Sequence, residues 1–181
     1  EVQLLDETNQ TEEANALLDR EITRTPDDAS LLYMRAMRRW EAGDIAGMEA
    51  DLRQVLRTDP DNAEALNALG YTLADLNLPG RLQEAFELIE RAYEADPDNP
   101  AVLDSMGWVY FRLGKPEEAL PWLESAYAQL PDQEVAAHLA EVLKALGRDE
   151  EARQLIQQIM QRTNQHPLID GLLERYPELS P

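Results

Sequence analysis

The chain has 181 residues, and its 36 Asp and Glu against 16 Lys and Arg give a formal net charge of −20. This charge argues against a nucleic-acid partner, because neutralising phosphates requires clustered Lys and Arg. The sequence has no cysteine, which excludes disulfides, thiolate metal sites and cysteine nucleophiles. Its 44% hydrophobic residues suit a folded domain. No segment has the roughly 18 consecutive apolar residues of a membrane span, so we expect no direct membrane insertion by this chain.

Prolines recur at a nearly constant spacing, each between two segments with helical periodicity. Pro26, Pro60, Pro97 and Pro131 lie 34, 37 and 34 residues apart. A period of about 20 to 50 residues indicates a solenoid of repeated structural units. Apolar residues between the prolines follow the helical period, and no window alternates with the period of a strand. The sequence therefore predicts an all-α fold of antiparallel helix pairs.

In chain order, the repeat divides the sequence into six segments of a single array. Residues 1–26 are predicted to be a partial repeat, because Thr11 to Pro26 has the pattern of a second helix. Four complete repeats and a C-terminal capping helix follow, and their ranges are 27–60, 61–97, 98–131, 132–164 and 165–181. A solenoid that begins in mid-repeat exposes the face that its neighbour would cover. We therefore expect the chain to be part of a longer array.

Small residues recur at positions where the two helices of a pair would touch. Gly70 and Gly107 occupy the same place in successive repeats, and Ala85 and Ala119 recur in the helices that follow them. At such a contact, a side chain larger than a methyl group would hold the two helices apart. The sequence thus predicts close helix packing at both glycines.

These positions carry a family resemblance. The 98–131 repeat resembles the tetratricopeptide repeat signature through Leu103, Met106, Gly107, Tyr110, Ala119, Leu123, Ala126 and Pro131. The 61–97 repeat is similar through the equivalent residues, and the other two repeats match more loosely. The resemblance implies a right-handed α-α superhelix, a tetratricopeptide solenoid, that binds proteins or peptide segments.

The sequence offers little for catalysis. It has no Gly-x-Ser-x-Gly elbow, no His-Glu-x-x-His pair and no glycine-rich phosphate loop. The segment 59–62, Asp-Pro-Asp-Asn, begins like a calcium loop, but Glu64 stands where that loop needs glycine. His138 with Glu134 and Glu141 places possible metal ligands on one helical face, so a metal-assisted enzyme is the alternative left open. We predict no enzymatic activity, no catalytic residue, no metal and no cofactor.

The first helix of each pair lines the concave surface of such a solenoid. The side chains that point away from the packed positions combine aromatic, Met and acidic residues. The predicted protein-binding groove consists of Tyr33, Met37, Trp40, Asn67, Tyr71, Asp75, Asp104, Trp108, Phe111, Arg112, His138 and Glu141. Exposed aromatic residues bordered by charge suit a protein segment, and the acids of this set favour a partner with basic groups. The alternative for Trp108 and Phe111 is packing on the next helix pair.

Three stretches give a closer resemblance. They are NALGYTLAD (67–75), LDSMGWVYFRLG (103–114) and QEVAAHLAEVLKALG (133–147). Together they are similar to the C-terminal repeats of proteobacterial tetratricopeptide lipoproteins of the outer membrane. This group includes an adaptor of a periplasmic carboxyl-terminal processing protease.

The closer resemblance implies a non-enzymatic adaptor that binds and activates such a protease and presents cell-wall hydrolases to it as substrates. It also implies a periplasmic location, with an outer-membrane anchor upstream of this chain. The alternatives are self-assembly through exposed end helices, an assembly-factor module for another envelope complex, and a cytoplasmic location.

Overall fold

The computed structural model describes residues 11–78, 80–162 and 165–181. Over these residues the chain is all-α, as the sequence predicts, with ten α-helices and one short 3₁₀ turn at Pro177–Leu179. The helices are α1 (Thr11–Arg24), α2 (Ala29–Glu41), α3 (Ile45–Thr58), α4 (Ala63–Asp75), α5 (Leu82–Ala95), α6 (Pro100–Arg112), α7 (Pro116–Gln129), α8 (Gln133–Ala145), α9 (Asp149–Arg162) and α10 (Pro167–Arg175). The first ten residues of the predicted partial repeat lie outside the described part of the chain.

By its internal contacts the chain forms two compact units, residues 1–69 and residues 70–181. The boundary falls within α4, and each unit is described below by itself. The helices begin and end inside the ranges expected from the proline spacing. The organisation of the whole chain as a single array of repeats stays a prediction.

In the first unit, acidic caps fix where the helices begin. Asp28 caps α2 by accepting a hydrogen bond from the amide of Leu31 at 3.0 Å, and Asp44 caps α3 through the amide of Gly47 at 3.0 Å. Such caps satisfy amides that have no partner within the helix. Side chains from α1, α2 and α3 form the core of this unit: Ala14, Leu18, Ile22, Leu32, Ala36, Met48, Leu52 and Val55.

In the second unit, Asn99 and Asp132 cap α6 and α8 in the same way. Gly70 of α4 lies against α5, where an added Cβ would be 2.6 Å from Ile89 Cγ1. Gly107 of α6 lies against α7, where an added Cβ would overlap the Leu123 side chain. The predicted close packing at both glycines is confirmed, and it is tighter than expected because even a methyl group does not fit.

None of the helices in the described ranges is long and apolar enough to cross a membrane.

Candidate functional site

The predicted groove residues are divided between the two units. The first unit contains Tyr33, Met37, Trp40 and Asn67, and the second contains the other eight. Two pockets contain predicted groove residues, one in each unit, and we call them the Tyr33 pocket and the Trp108 pocket. The role of either pocket in binding stays a prediction.

The Tyr33 pocket is a cavity of about 920 Å³ in the first unit. Its walls come from α1, α2 and the first turn of α4: Thr11, Asn15, Ser30, Tyr33, Met34, Met37, Arg38, Glu41, Ala42 and Glu64. Trp40 and Asn67 are not among these lining residues. The structure therefore brings together Tyr33 and Met37 of the predicted set, and Met34, which helical spacing also places on this face, forms a third apolar wall.

Charge around the Tyr33 pocket is mixed. Arg38 donates from Nε to Asn15 Oδ1 at 2.6 Å, which holds its guanidinium toward α1. Burial, followed by the negative charge of Glu64, raises the pKa of Tyr33 above its ordinary value. The Tyr33 hydroxyl therefore keeps its proton at neutral pH and can donate a hydrogen bond.

A buried ion cluster beneath α2 positions this surface. The Asp51 carboxylate of α3 is 2% exposed. It accepts two hydrogen bonds from Arg35, at 2.9 and 2.7 Å, and one from Arg39 at 2.7 Å. Arg35 also donates to Asp19 of α1 at 2.8 Å, so the cluster joins three helices. This cluster is not among the features predicted from the sequence. The feature that indicates it is the pair of arginines, Arg35 and Arg39, four residues apart on one face of α2.

The Trp108 pocket is a cavity of about 380 Å³ in the second unit. It is lined from α4, α6, α8 and α10 by Tyr71, Asp75, Trp108, Arg112, Glu134, Ala137, His138, Glu141, Leu168 and Arg175. Six of these belong to the groove predicted from the sequence, and Asp104 lies directly behind His138. The α10 residues Leu168 and Arg175 were missed, because the repeat signature contains no information about the capping helix.

Trp108 forms the floor of this pocket. Its indole is 3% exposed and stacks on the His138 imidazole, with ring centroids 4.0 Å apart and planes 20° apart. The indole Nε1 donates to Asp75 Oδ1 at 3.3 Å. The Arg112 guanidinium lies over the Trp108 ring, 5.3 Å from its centroid, and donates to the last carbonyls of α4, those of Ala74 and Asp75.

Two predictions about Trp108 and Phe111 need correction. The sequence predicts exposed aromatic anchors, but Trp108 is buried and Phe111 packs against it with ring centroids 5.4 Å apart. Phe111 also contacts the apolar core of the second unit and does not line the pocket. The reason is that Trp108 stacks on His138 of α8 and Phe111 packs on the apolar core beside α7 and α8, which is the alternative of packing on the next helix pair.

Two acids of the predicted groove, Asp104 and Glu141, are also less available to a basic partner than expected. Asp104 is 5% exposed and accepts from His138 Nδ1, which lies 2.9 and 3.0 Å from its two carboxylate oxygens. Glu141 is 5% exposed and is paired with Arg175. The expectation that both acids would attract a basic partner is therefore wrong for this arrangement, because each already has a cationic or hydrogen-bonding partner.

Tyr71 links α4 to α8 across the pocket. Its hydroxyl donates to Glu134 Oε1 at 2.6 Å and lies 3.5 Å from His138 Nε2. Burial, followed by the charge of Glu134, raises the pKa of Tyr71, so the hydroxyl stays protonated. Burial alone would lower the pKa of His138, but the charge and hydrogen bond of Asp104 raise it above the ordinary value.

The described residues contain no group of three or more His, Asp or Glu side chains arranged to hold a metal ion. His138 uses Nδ1 for Asp104, and its Nε2 faces Tyr71. The arrangement can therefore recognise and position another molecule through aromatic, hydrogen-bonding and ionic contacts.

An all-helical scaffold of this kind, with helix pairs and pockets lined mainly by the first helix of each pair, defines a class of repeat proteins. The tetratricopeptide repeat family models match residues 33–100, 76–137 and 110–176. The chain belongs to the tetratricopeptide repeat family. Tetratricopeptide domains typically bind proteins or peptides and serve as interaction scaffolds.

Similar proteins support this membership. The TPR repeat-containing protein PA4667 of Pseudomonas aeruginosa is 48% identical over 141 residues, which are 78% of this chain and 24% of that protein. The chain thus spans about a quarter of the length of this relative. A thermophilic TPR protein of Thermus thermophilus, TTC0263, matches with a TM-score of 0.79 and 20% identity over 98% of this chain and 94% of its own. PilW, a type IV pilus biogenesis factor, matches with a TM-score of 0.78 and 19% identity, covering 98% and 85%. These two solved structures show the shared fold.

Proposed function

We propose that this chain is a non-enzymatic adaptor whose Tyr33 pocket receives a segment of another protein. The observation that supports this most directly is the size and lining of the cavity. A volume of about 920 Å³ lies within the range of cavities that bury a ligand. Three apolar side chains, Tyr33, Met34 and Met37, stand beside a few polar groups, as in sites that combine apolar burial with orientation.

The lining also indicates what the segment carries. Methionine side chains are flexible and polarizable, so Met34 and Met37 can adapt to an aliphatic or aromatic side chain. Glu41 and Glu64 line the same pocket and favour a basic residue beside that apolar one. The Trp108 pocket is less suited to this role, because its aromatic floor is buried and two of its acids are already paired.

We further propose that the partner is a periplasmic carboxyl-terminal processing protease, which this chain activates and supplies with cell-wall hydrolases. The support is the similarity of residues 67–75, 103–114 and 133–147 to the outer-membrane lipoproteins of that adaptor group. In this proposal the chain works in the periplasm and is attached to the outer membrane through a segment upstream of it.

The experiment uses a purified protease of this class and a cell-wall hydrolase as substrate. Degradation of the hydrolase is followed with and without the chain, and we expect the chain to accelerate it. Met37→Ala should reduce both the acceleration and the binding of the protease. Leu130→Ala is the matched control, because it truncates an apolar side chain that is exposed and lies outside both pockets.

The outcomes test the binding site and the identity of the partner separately. Protease binding that Met37→Ala leaves unchanged would contradict the Tyr33 pocket as the binding site. The absence of any binding or acceleration by the wild-type chain would contradict the protease as the partner.

Self-association is the second candidate, and one observation favours it. Leu168 on α10 is 50% exposed, which makes it the most exposed large apolar side chain of the described residues. A second copy that packs on this side chain would remove its apolar surface from water. Light scattering tests self-association. A chain that is monomeric at micromolar concentration would contradict it, whereas a dimer that Leu168→Glu dissociates would support it. A role as an assembly factor for another envelope complex is tested by the same measurement with the components of that complex.

A further inference from the structure

Four side chains of the second unit form a continuous polar chain from the interior to the surface. Asp104 accepts from His138 Nδ1 at 2.9 Å, His138 Nε2 lies 3.5 Å from the Tyr71 hydroxyl, and that hydroxyl lies 2.6 Å from Glu134 Oε1. Asp104 and His138 are buried, whereas Glu134 is exposed at the mouth of the Trp108 pocket. Tyr71 therefore connects the buried end of this chain to the exposed Glu134.

The titrating proton of this chain belongs to Nε2 of His138. Both oxygens of the Asp104 carboxylate lie within 3.0 Å of Nδ1, and a carboxylate only accepts hydrogen bonds. Nδ1 therefore keeps its proton in both charge states of the imidazole, and gain or loss occurs at Nε2. The protonated ring is an imidazolium paired with a buried carboxylate, which compensates for its burial.

Charges on α4, α6 and α8 bear on this equilibrium. The acids favour the imidazolium, and burial opposes it, with a net rise in the pKa of His138. The two cations nearby are already engaged, Arg175 by Glu141 and Arg112 by the carbonyls at the end of α4. The titratable and charged groups that face His138 or line its pocket are Tyr71 and Asp75 on α4, Asp104 and Arg112 on α6, Glu134 and Glu141 on α8, and Arg175 on α10.

The charge of His138 determines which group accepts the hydrogen bond that the Tyr71 hydroxyl donates. When Nε2 carries a proton, it points a donor at the Tyr71 oxygen, and the single O–H of Tyr71 is free to bind Glu134. When Nε2 is deprotonated, its lone pair faces the same oxygen. One O–H then serves two acceptors, His138 Nε2 and Glu134 Oε1, and leaving the buried nitrogen without a partner has a free-energy cost.

We propose that the Asp104–His138–Tyr71–Glu134 chain is a proton-linked switch of the Trp108 pocket. With His138 protonated, Tyr71 holds Glu134 and connects α4 to α8 across the pocket. With His138 neutral, the Tyr71 hydroxyl turns to Nε2 and releases the Glu134 carboxylate. The pocket then has one more free acid and loses a cationic group, so its affinity for a basic side chain rises with pH. This inference concerns the second unit and does not depend on the Tyr33 pocket.

The experiment is a pH titration of the whole chain by NMR, from about pH 5 to about pH 10, which brackets the histidine range. The His138 ring and the side-chain carboxyl carbon of Glu134 are followed together. We expect the Glu134 signal to change at the pH where His138 titrates. Glu90, an exposed glutamate on α5, is the matched control and should show no such step.

Tyr71→Phe separates hydrogen-bond transfer from simple charge effects, because it keeps the ring and removes the hydroxyl. In this variant His138 should still titrate, and the step in the Glu134 signal should largely disappear. Asp104→Asn should move both steps together to lower pH. The proposal is overturned if wild-type Glu134 shows no step, if the step keeps its size in Tyr71→Phe, or if His138 titrates below its ordinary pKa.

Discussion

The imidazole of His138 lies nearly flat on the indole of Trp108, with ring centroids 4.0 Å apart and planes 20° apart. This contact joins α6 to α8 and buries one of the two tryptophans of the predicted groove. It changes the role of Trp108 from a side chain that contacts a partner to one that supports the pocket. The Trp108 pocket therefore has an aromatic floor that contributes to folding.

Replacement of Trp108 should affect stability first. Trp108→Ala removes a buried aromatic ring and leaves a cavity, so we expect a loss of about 3–5 kcal/mol in the free energy of unfolding. Urea denaturation followed by circular dichroism measures it. Trp40→Ala is the matched control, because Trp40 is only half-buried, and it should lose less. Equal losses of unfolding free energy in the two variants would show that the deeper burial of Trp108 adds no stability.

The stability of the second unit should depend on the protonation of His138. The pKa of His138 is raised in the folded chain, so folding binds a proton that the unfolded chain holds less tightly. This stabilisation is complete below the unfolded pKa of about 6.5 and is lost as the pH rises through the higher folded pKa. We therefore expect wild type to exceed His138→Gln in unfolding free energy by more at about pH 6 than at about pH 9. A difference that grows with pH would contradict the assignment.

The Asp51 cluster should stabilise the first unit. Asp51→Ala removes the acceptor for two guanidinium groups, and breaking a buried ion pair of this kind costs about 3–5 kcal/mol. The comparison is Asp19→Ala, which removes a bond to the same Arg35 but from a side chain that is 60% exposed. The exposed variant should lose less than about 1 kcal/mol. Hydrogen exchange of the α2 and α3 amides locates both effects, and similar protection in the two variants would argue against a special role of Asp51.

Two glycine replacements should have opposite effects. Gly107→Ala places a Cβ against Leu123 and 3.1 Å from the carbonyl oxygen of Ala119, so the α6–α7 contact must open. We expect a loss of about 1–3 kcal/mol, the usual cost of overpacking. Gly171→Ala in α10 meets no described atom within 4 Å and should stabilise the chain by up to about 1 kcal/mol, because alanine favours the helix. Thermal unfolding of both variants gives the answer, and equal shifts of the melting temperature would contradict the packing argument.

Local features could be predicted well from the sequence, because they depend on residues near one another in the chain. The helical periodicity between the recurrent prolines is a feature of this kind, and the helices lie within the ranges that the proline spacing predicts. The close contact at Gly107 could be predicted as well, because a repeated fold puts equivalent positions into equivalent packing. The Arg35–Asp51 pair could not, since its members lie 16 residues apart on different helices.

The sequence by itself determined that the chain is a set of helix pairs with a strong negative charge and with aromatic residues on the first helices. Its spacing also specified which positions face a neighbouring helix. Only the tertiary structure decided which of those aromatic and acidic groups stay open to a partner. Tyr33 and Met37 line a cavity, whereas Trp108 and Asp104 are buried under His138. The physical reason is that burial and ion pairing depend on side chains brought together from different helices, and periodicity along one helix does not contain that information.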